Sequence, residues 1–445
     1  MSTVKSDKGI ADRSMGFGLK ALNRLAGSNL LDKLRIRKQV EQLVYRSSKN
    51  GFRTATAAGR TFKKAQQLGK PARQSKGKPK GLFDVTPDDE QQMFQEAVRD
   101  FAEAKVRPAA KDADADSSTP DELLSQVNEL GVNMLGVPEE LGGVMEEQAA
   151  VGSVLIGEAL AHGDLGIAYA ALAPGAVATA IGHWGTADQQ AAYLPEFTGE
   201  NVPAAALAML EPQPLFDPFS LQTRARRDGS DWVLDGAKSL VSRPGDCELF
   251  VVAAEVEGQG PGLFVIESKT GGLSVEREPA MGLRPATTGR LLLDGVRVPA
   301  GALMAEGSRE AYAECVQRAR LAWCALTVGA SQAVVDYVIP YVNERTAFGE
   351  PVSNRQGVAF TVSDMGIETD GMRLVTYRAA SRADQGKDFA HEAALARRLC
   401  AAKGMQIGSD GVQLLGGHGY VKEHPVERWY RDLRAAGVME GALLV

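Results

Sequence analysis

The 445 residues carry 44% hydrophobic and 24% charged side chains, an ordinary balance for a water-soluble globular chain with two or three subdomains. The net charge of -6 hides an asymmetry: residues 1–80 hold 20 Lys/Arg against 4 Asp/Glu, and the remainder 30 against 52. Four cysteines without a C-x-x-C pair or a His/Cys cluster indicate neither a disulfide framework nor a zinc site, and fit a reducing compartment.

The basic block has short apolar repeats, Ile36, Val40, Leu43 and Val44, spaced as on one helix face, and decays into the Lys/Pro/Gly linker GKPARQSKGKPKG. Such a block reads as a solvated tail or as a basic amphipathic helix on an anionic membrane surface. An organelle transit peptide or a nucleic-acid arm is a weaker reading, and nucleic acid is not an expected partner. No continuous apolar segment opens the chain, so no secretory signal is expected.

Order is expected from Thr86, where Thr-Pro-Asp-Asp supplies a cap, a proline at the first helical position and an acid in the first turn. Met93, Phe94, Ala97, Val98 and Phe101 then line one face of an amphipathic helix, and DELLSQVNEL predicts a second ending near Gly131. The uncharged run Leu165 to Gly182 is Ala/Gly-rich and interrupted by Pro174-Gly175, which predicts a pair of buried core helices rather than a membrane span. From Val202 the period changes to that of strands: WVLDGAKSLV, ELFVVAAEV, GLFVIE and GRLLLDGVRVP. Past Pro299 helices return, the first apolar on more than one face. The fold class is therefore α+β: a basic extension (1–83), an N-terminal helical domain (84–201), a central β barrel or sandwich (202–303) and a C-terminal four-helix bundle (304–445).

VPEELGG (137–143), LEP (210–212), DGAKSLV (235–241), MGLR with DGVRVP (281–299), ERTAFG (344–349) and the closing stretch QLLGGHGY to Glu440 together resemble the acyl-CoA dehydrogenase family over about 84–445. The resemblance implies FAD, an acyl-CoA substrate oxidised to the trans-2-enoyl-CoA, electron-transfer flavoprotein as acceptor, and a homodimer or homotetramer. Glu440 matches the family's base, which takes the α-proton while the β-hydrogen leaves as hydride. A solvated Glu is a weak base for that proton, so Val438, Met439 and the flavin are expected to desolvate it. The competing reading is a frayed chain-end carboxylate.

Arg345 and Phe348 match the family's Arg-x-x-Phe-Gly, whose Arg meets the FAD pyrophosphate of a neighbouring subunit. Gln413, Gly416 and Gly417 match the backbone lying along the same cofactor, and Met209 and Ser242 match positions near the flavin. On the substrate side stand Arg320, which could instead pair with Glu158, and Phe216, in place of a serine by the thioester arm.

The chain departs from the family where Thr-Glu-Pro-Gly-x-Gly-Ser-Asp is replaced by LEPQPLFD. Leu210 removes a flavin-contacting threonine, and glycines are lost at Gln213 and Leu215, so a changed backbone path is expected there. Leu240 stands where many members carry Trp, and Ala442 where they carry Thr. The alternatives to a dehydrogenase are an acyl-CoA oxidase, or a weakened or non-catalytic member serving as a structural or regulatory subunit at a membrane. The expected location is cytoplasmic, peripheral on the inner membrane face, with the mitochondrial matrix as alternative.

Overall fold

A computed structural model describes residues 89–143, 150–199 and 201–442, all within one compact unit spanning Val85–Val445. The expected start at Thr86, the basic extension and the linker lie outside the described residues.

The first described helix, α1 (Asp89–Phe101), buries Phe94, Val98 and Phe101 and runs through a single π-turn (Ala102–Val106) into α2 (Arg107–Asp116). Pro108 follows directly on that π-turn, inside a continuous helical stretch. The next helix, α3 (Asp121–Glu129), ends before Gly131, which takes φ 79.

α4 (Ala150–Gly163) and α5 (Leu165–Trp184) follow, joined at Asp164, whose carboxylate caps α5 by accepting the Ile167 N–H. The expected break at Pro174 does not occur: α5 is one helix. A proline inside a helix disturbs the ladder around it. Here the side-chain amide of Asn133 enters the gap, donating to the Ala171 carbonyl at 3.1 Å and accepting the Gly175 N–H at 2.8 Å. A buried side chain from a distant turn thus keeps the helix continuous. α6 (Ala187–Tyr193) closes this part with a capping box at Thr186 and Gln189.

The strands of the middle part, expected as a barrel or sandwich, pair into one mixed seven-stranded sheet. Its strands are β1 (Ala205–Ala208), β2 (Arg224–Asp228), β3 (Asp231–Val241), β4 (Leu249–Val256), β5 (Gly260–Glu267), β6 (Leu273–Arg277) and β7 (Gly289–Val298). The order is β1-β4-β2-β3-β7-β6, with β5 also paired to β4, from Leu249↔Glu267 to Val256↔Gly260. β1 runs parallel to β4, Ala205 opposite Leu249. β4 is apolar along its length because both of its faces are covered. Phe250, Val252 and Ala254 join Trp232 and Phe264 in one core. Leu249, Val251 and Ala253 join Val177 and Ile181 of α5 and, further along the chain, Tyr312, Cys315 and Val316 in another. That second core ties the sheet to the helices around the site.

The C-terminal helices are α7 (Arg309–Glu344), α8 (Gln356–Asp384), α9 (Ala390–Leu415) and the short α10 (Val426–Asp432). α7 extends about 54 Å at 1.5 Å per residue. It crosses α4 at Gly329, where a Cβ would stand 2.1 Å from the Glu158 carbonyl oxygen, so only glycine allows the approach. Two described helices, Leu165–Trp184 and Arg309–Glu344, are long and apolar enough to cross a membrane, but 67% and 72% of their apolar windows are buried inside the protein. They are core helices.

Candidate active site

After α10, a 3₁₀ stretch (Leu433–Gly437) brings the chain back beneath α7 and α9. Met439 is buried, and Glu440 is only 7% exposed with φ 57, a left-handed conformation that a non-glycine residue keeps only when its surroundings impose it. Three hydrogen bonds impose it. Arg320 Nε of α7 donates to the Glu440 carbonyl at 2.9 Å, an Arg397 guanidinium nitrogen of α9 donates to the Gly441 carbonyl, and the Ala442 N–H donates to the Phe216 carbonyl at 2.8 Å. At Gly441, φ 109, an added Cβ would lie 2.8 Å from both Arg320 Nη2 and Pro218 Cδ. The solvated chain-end reading of Glu440 is overturned by this burial.

Burial pushes the Glu440 carboxyl above its ordinary value, and the opposing charges of Arg397, Arg320 and Lys238, with a hydrogen bond from Trp323, only partly restrain it. Oε2 has no hydrogen-bond partner among the described residues. A carboxylate so placed is poorly solvated, free to accept a proton, and more basic than one in water.

Glu440 lines an apolar cavity of about 190 Å³ between α4, α5, β1 and α7. Tyr169 and Trp323, with ring centroids 4.8 Å apart, line it with Leu172, Ala176, Trp184, Leu207 and Leu326. Arg318 also reaches this cavity, with its charge matched by Glu314 at 2.8 Å. The arrangement suits an apolar tail lying beside one buried carboxylate.

Arg320 and Phe216, expected on the substrate side, are not among the residues lining the cavity; both meet the backbone around Glu440. The proposed Arg320–Glu158 pair does not form. Glu158 instead bonds Arg373 at 2.8 Å and Tyr377 at 2.7 Å.

The 210–218 loop is anchored from inside by a pair the sequence reading did not single out. Buried Lys238 donates to Glu211 Oε1 at 2.8 Å and to the Met209 carbonyl at 3.3 Å, while the Glu211 carboxylate accepts the Gln222 and Thr223 N–H groups at 2.6 and 2.9 Å. Burial lowers the Lys238 ammonium to about 8 against the pull of Glu211. Leu215 nonetheless takes φ 50, so one of the two lost-glycine positions still adopts a left-handed backbone, at a mostly exposed site.

The expected flavin-side residues fall into two settings. Met209 and Ser242 are buried, and the Ser242 hydroxyl has no partner among the described residues. Leu240 beside it is held at φ 51, its N–H donating to Glu278 at 2.7 Å and its carbonyl accepting the Tyr169 hydroxyl at 3.1 Å. By contrast, Arg345, Phe348, Gln413, Gly416 and Gly417 are all exposed, Phe348 at 95% with φ 56. The Arg345 and Gln413 side chains have no partner among the described residues, and a Cβ at Gly416 or Gly417 would meet open space. Tyr341 links these two exposed stretches through its hydroxyl, 2.8 Å from His418 Nδ1.

Three family profiles match consecutive parts of the chain: acyl-CoA dehydrogenase, N-terminal domain, over 88–200; middle domain over 206–296; and C-terminal domain over 307–443. The chain is 31% identical over 366 residues to the short-chain specific acyl-CoA dehydrogenase, mitochondrial, of Bos taurus, covering 79% of this chain and 86% of that protein. It is 30% identical to the acryloyl-CoA reductase (NADH) of Anaerotignum propionicum, covering 79% and 91%. Among solved structures, the butyryl-CoA dehydrogenase of Megasphaera elsdenii superposes with a TM-score of 0.75 at 27% identity, over 81% of this chain and 97% of that one.

Proposed function

The chain belongs to the acyl-CoA dehydrogenase family of FAD-dependent oxidoreductases acting on CH–CH bonds, and from that premise we propose that Glu440 is the base of an acyl-CoA dehydrogenation. The observation that carries the assignment is the buried, one-sidedly unpaired carboxylate at the wall of an apolar cavity. An acyl chain in that cavity would bring its α-carbon to Oε2, and Glu440 would take the α-proton. The Glu440 N–H lies in the strained turn that Arg320 and Arg397 hold, and is a donor for the thioester oxygen as negative charge develops there.

FAD, when bound, supplies the hydride acceptor for the β-carbon that no side chain can provide. The chain's residues fit it at both ends: the unpartnered buried Ser242 hydroxyl at one, the unpaired Arg345 fork and the open Gly416-Gly417 backbone at the other. Because that second end faces solvent, a second copy of the chain is proposed to complete it. Phe360, Ile367 and Leu374, exposed at seven-residue intervals on α8, support such a homo-oligomer. Electron-transfer flavoprotein is the proposed acceptor, and residues 1–80 are proposed to hold the protein on an anionic membrane face.

The decisive experiment is anaerobic mixing of purified protein with a panel of straight-chain acyl-CoAs from butyryl to palmitoyl. Flavin absorbance should bleach with at least one of them. Glu440→Gln should retain the flavin and abolish bleaching; bleaching at the native rate would remove Glu440 from the mechanism. For the extension, deletion of residues 1–80 should release the protein from phosphatidylserine vesicles, and equal binding with and without them would exclude a membrane role.

A further inference from the structure

Arg397 is set apart from the other buried cations by what it lacks. It lies on α9, 4% exposed, and one guanidinium nitrogen donates to the Gly441 carbonyl. Its Nε and Nη1 have no hydrogen-bond partner among the described residues. Lys238 is held by Glu211 and Arg428 by Asp164, whereas no carboxylate forms an ion pair with Arg397 among the described residues. Burying a guanidinium with two unsatisfied N–H groups is costly. Anchoring one carbonyl would not require a cation. Glu440 is the only carboxylate among the groups that act most strongly on Arg397, and Arg397 is the strongest cationic influence on Glu440.

We propose that Arg397 is a positioning residue for Glu440, fixing the left-handed turn through Gly441 and supplying the charge that keeps the Glu440 carboxylate ionised for proton abstraction. The proposal rests on Glu440 being the base. Arg320 divides the task with it: Arg320 grips the carbonyl of Glu440 itself from α7, Arg397 that of the next residue from α9. The other titratable groups acting with Glu440 are Lys238 of β3, Tyr169 of α5, and Tyr312 and Cys315 of α7. Burial raises both tyrosines and the cysteine, leaving them neutral at working pH, and Lys238 is already engaged by Glu211. The charge balance at Glu440 therefore rests chiefly on the two arginines.

The test uses the full chain with FAD and the acyl-CoA that the wild type turns over fastest. Arg397→Met should retain FAD and leave KM little changed, while kcat falls about 100-fold, the scale of a small misplacement of a reacting group. Removing a cation raises the Glu440 pKa further, so the acid limb of the kcat profile should move to higher pH. Arg397→Lys, which keeps the charge and shortens the reach, should return the limb toward its native position and recover part of kcat. Native kcat and an unshifted limb in Arg397→Met would overturn the proposal. So would losses in both variants that merely track lost flavin, which would leave Arg397 a folding residue. Glu440→Gln measured alongside separates the two ideas: if it bleaches at the native rate the base assignment fails, whatever Arg397 does.

Discussion

The two ends of the proposed cofactor site are built on opposite principles. At the Glu440 end the backbone is held within one chain, with Arg320 and Arg397 on successive carbonyls, Ala442 on Phe216 and Lys238 on Glu211, while Glu440 Oε2 and the Ser242 hydroxyl stay buried and unpartnered among the described residues. At the other end Arg345, Phe348, Gln413 and the glycines of 416–417 stand in solvent, with the arginine fork unused. Chemistry that needs a desolvated base requires a rigid, dry setting. Phosphate recognition requires only a fork and an accessible backbone, which can wait for a partner. Damage at the first end should therefore be read in stability and rate, and damage at the second in cofactor retention and assembly.

The largest effect on folding should come from Lys238→Met, which strands the Glu211 carboxylate in the interior. A loss of about 3 kcal/mol or more is expected in denaturant unfolding. A loss under about 0.5 kcal/mol, the level of an ordinary surface change, would mean that the pair does not anchor the loop.

Glu440→Gln should act in the other direction. With its folded pKa above the ordinary 4.5, the Glu440 carboxyl holds its proton in the folded state after the unfolded chain has released it. The wild type thus loses stability as pH rises from the unfolded value through the folded one. The Gln variant should match the wild type below pH 4.5 and exceed it at neutral pH, in parallel thermal melts. A variant less stable at neutral pH would show that the carboxylate is satisfied rather than strained.

Arg345→Ala should change unfolding of the chain least, by under about 0.5 kcal/mol, because its side chain is exposed and makes no hydrogen bond or ion pair among the described residues. It should nonetheless lose FAD on dilution faster than the wild type, with a smaller species in light scattering. Unchanged flavin retention and size would sever the exposed end from the cofactor.

Much of this was legible in the residues. The helical period of Phe94, Val98 and Phe101, the runs of β3, β4, β5 and β7, and the distributed motifs all reflect local rules of spacing and composition. The short strands AALA (205–208), RARRD (224–228) and LSVER (273–277) were not, since their conformation comes from their neighbours in the sheet rather than from any pattern of their own. Helix α9 falls in the expected four-helix bundle, but its bounds were not legible for a related reason: its Ala- and Gly-rich face is buried by close contact with other helices, so no stripe of large apolar residues marks it. Pro174 suggested a break because the rescuing Asn133 lies 41 positions earlier in the chain.

The closing segment shows where the division falls. Its order of residues carried the family resemblance and singled out Glu440, because a motif is a local fact. Whether that carboxylate was exposed or buried beside an apolar cavity depended on Arg320 and Trp323 of α7, Arg397 of α9 and Phe216 arriving from three remote parts of the chain. Proton affinity is set by everything within a few ångströms. Sequence therefore determined which group the site turns on, and the tertiary structure decided its basicity, because burial and charge are properties of neighbours that only folding assembles.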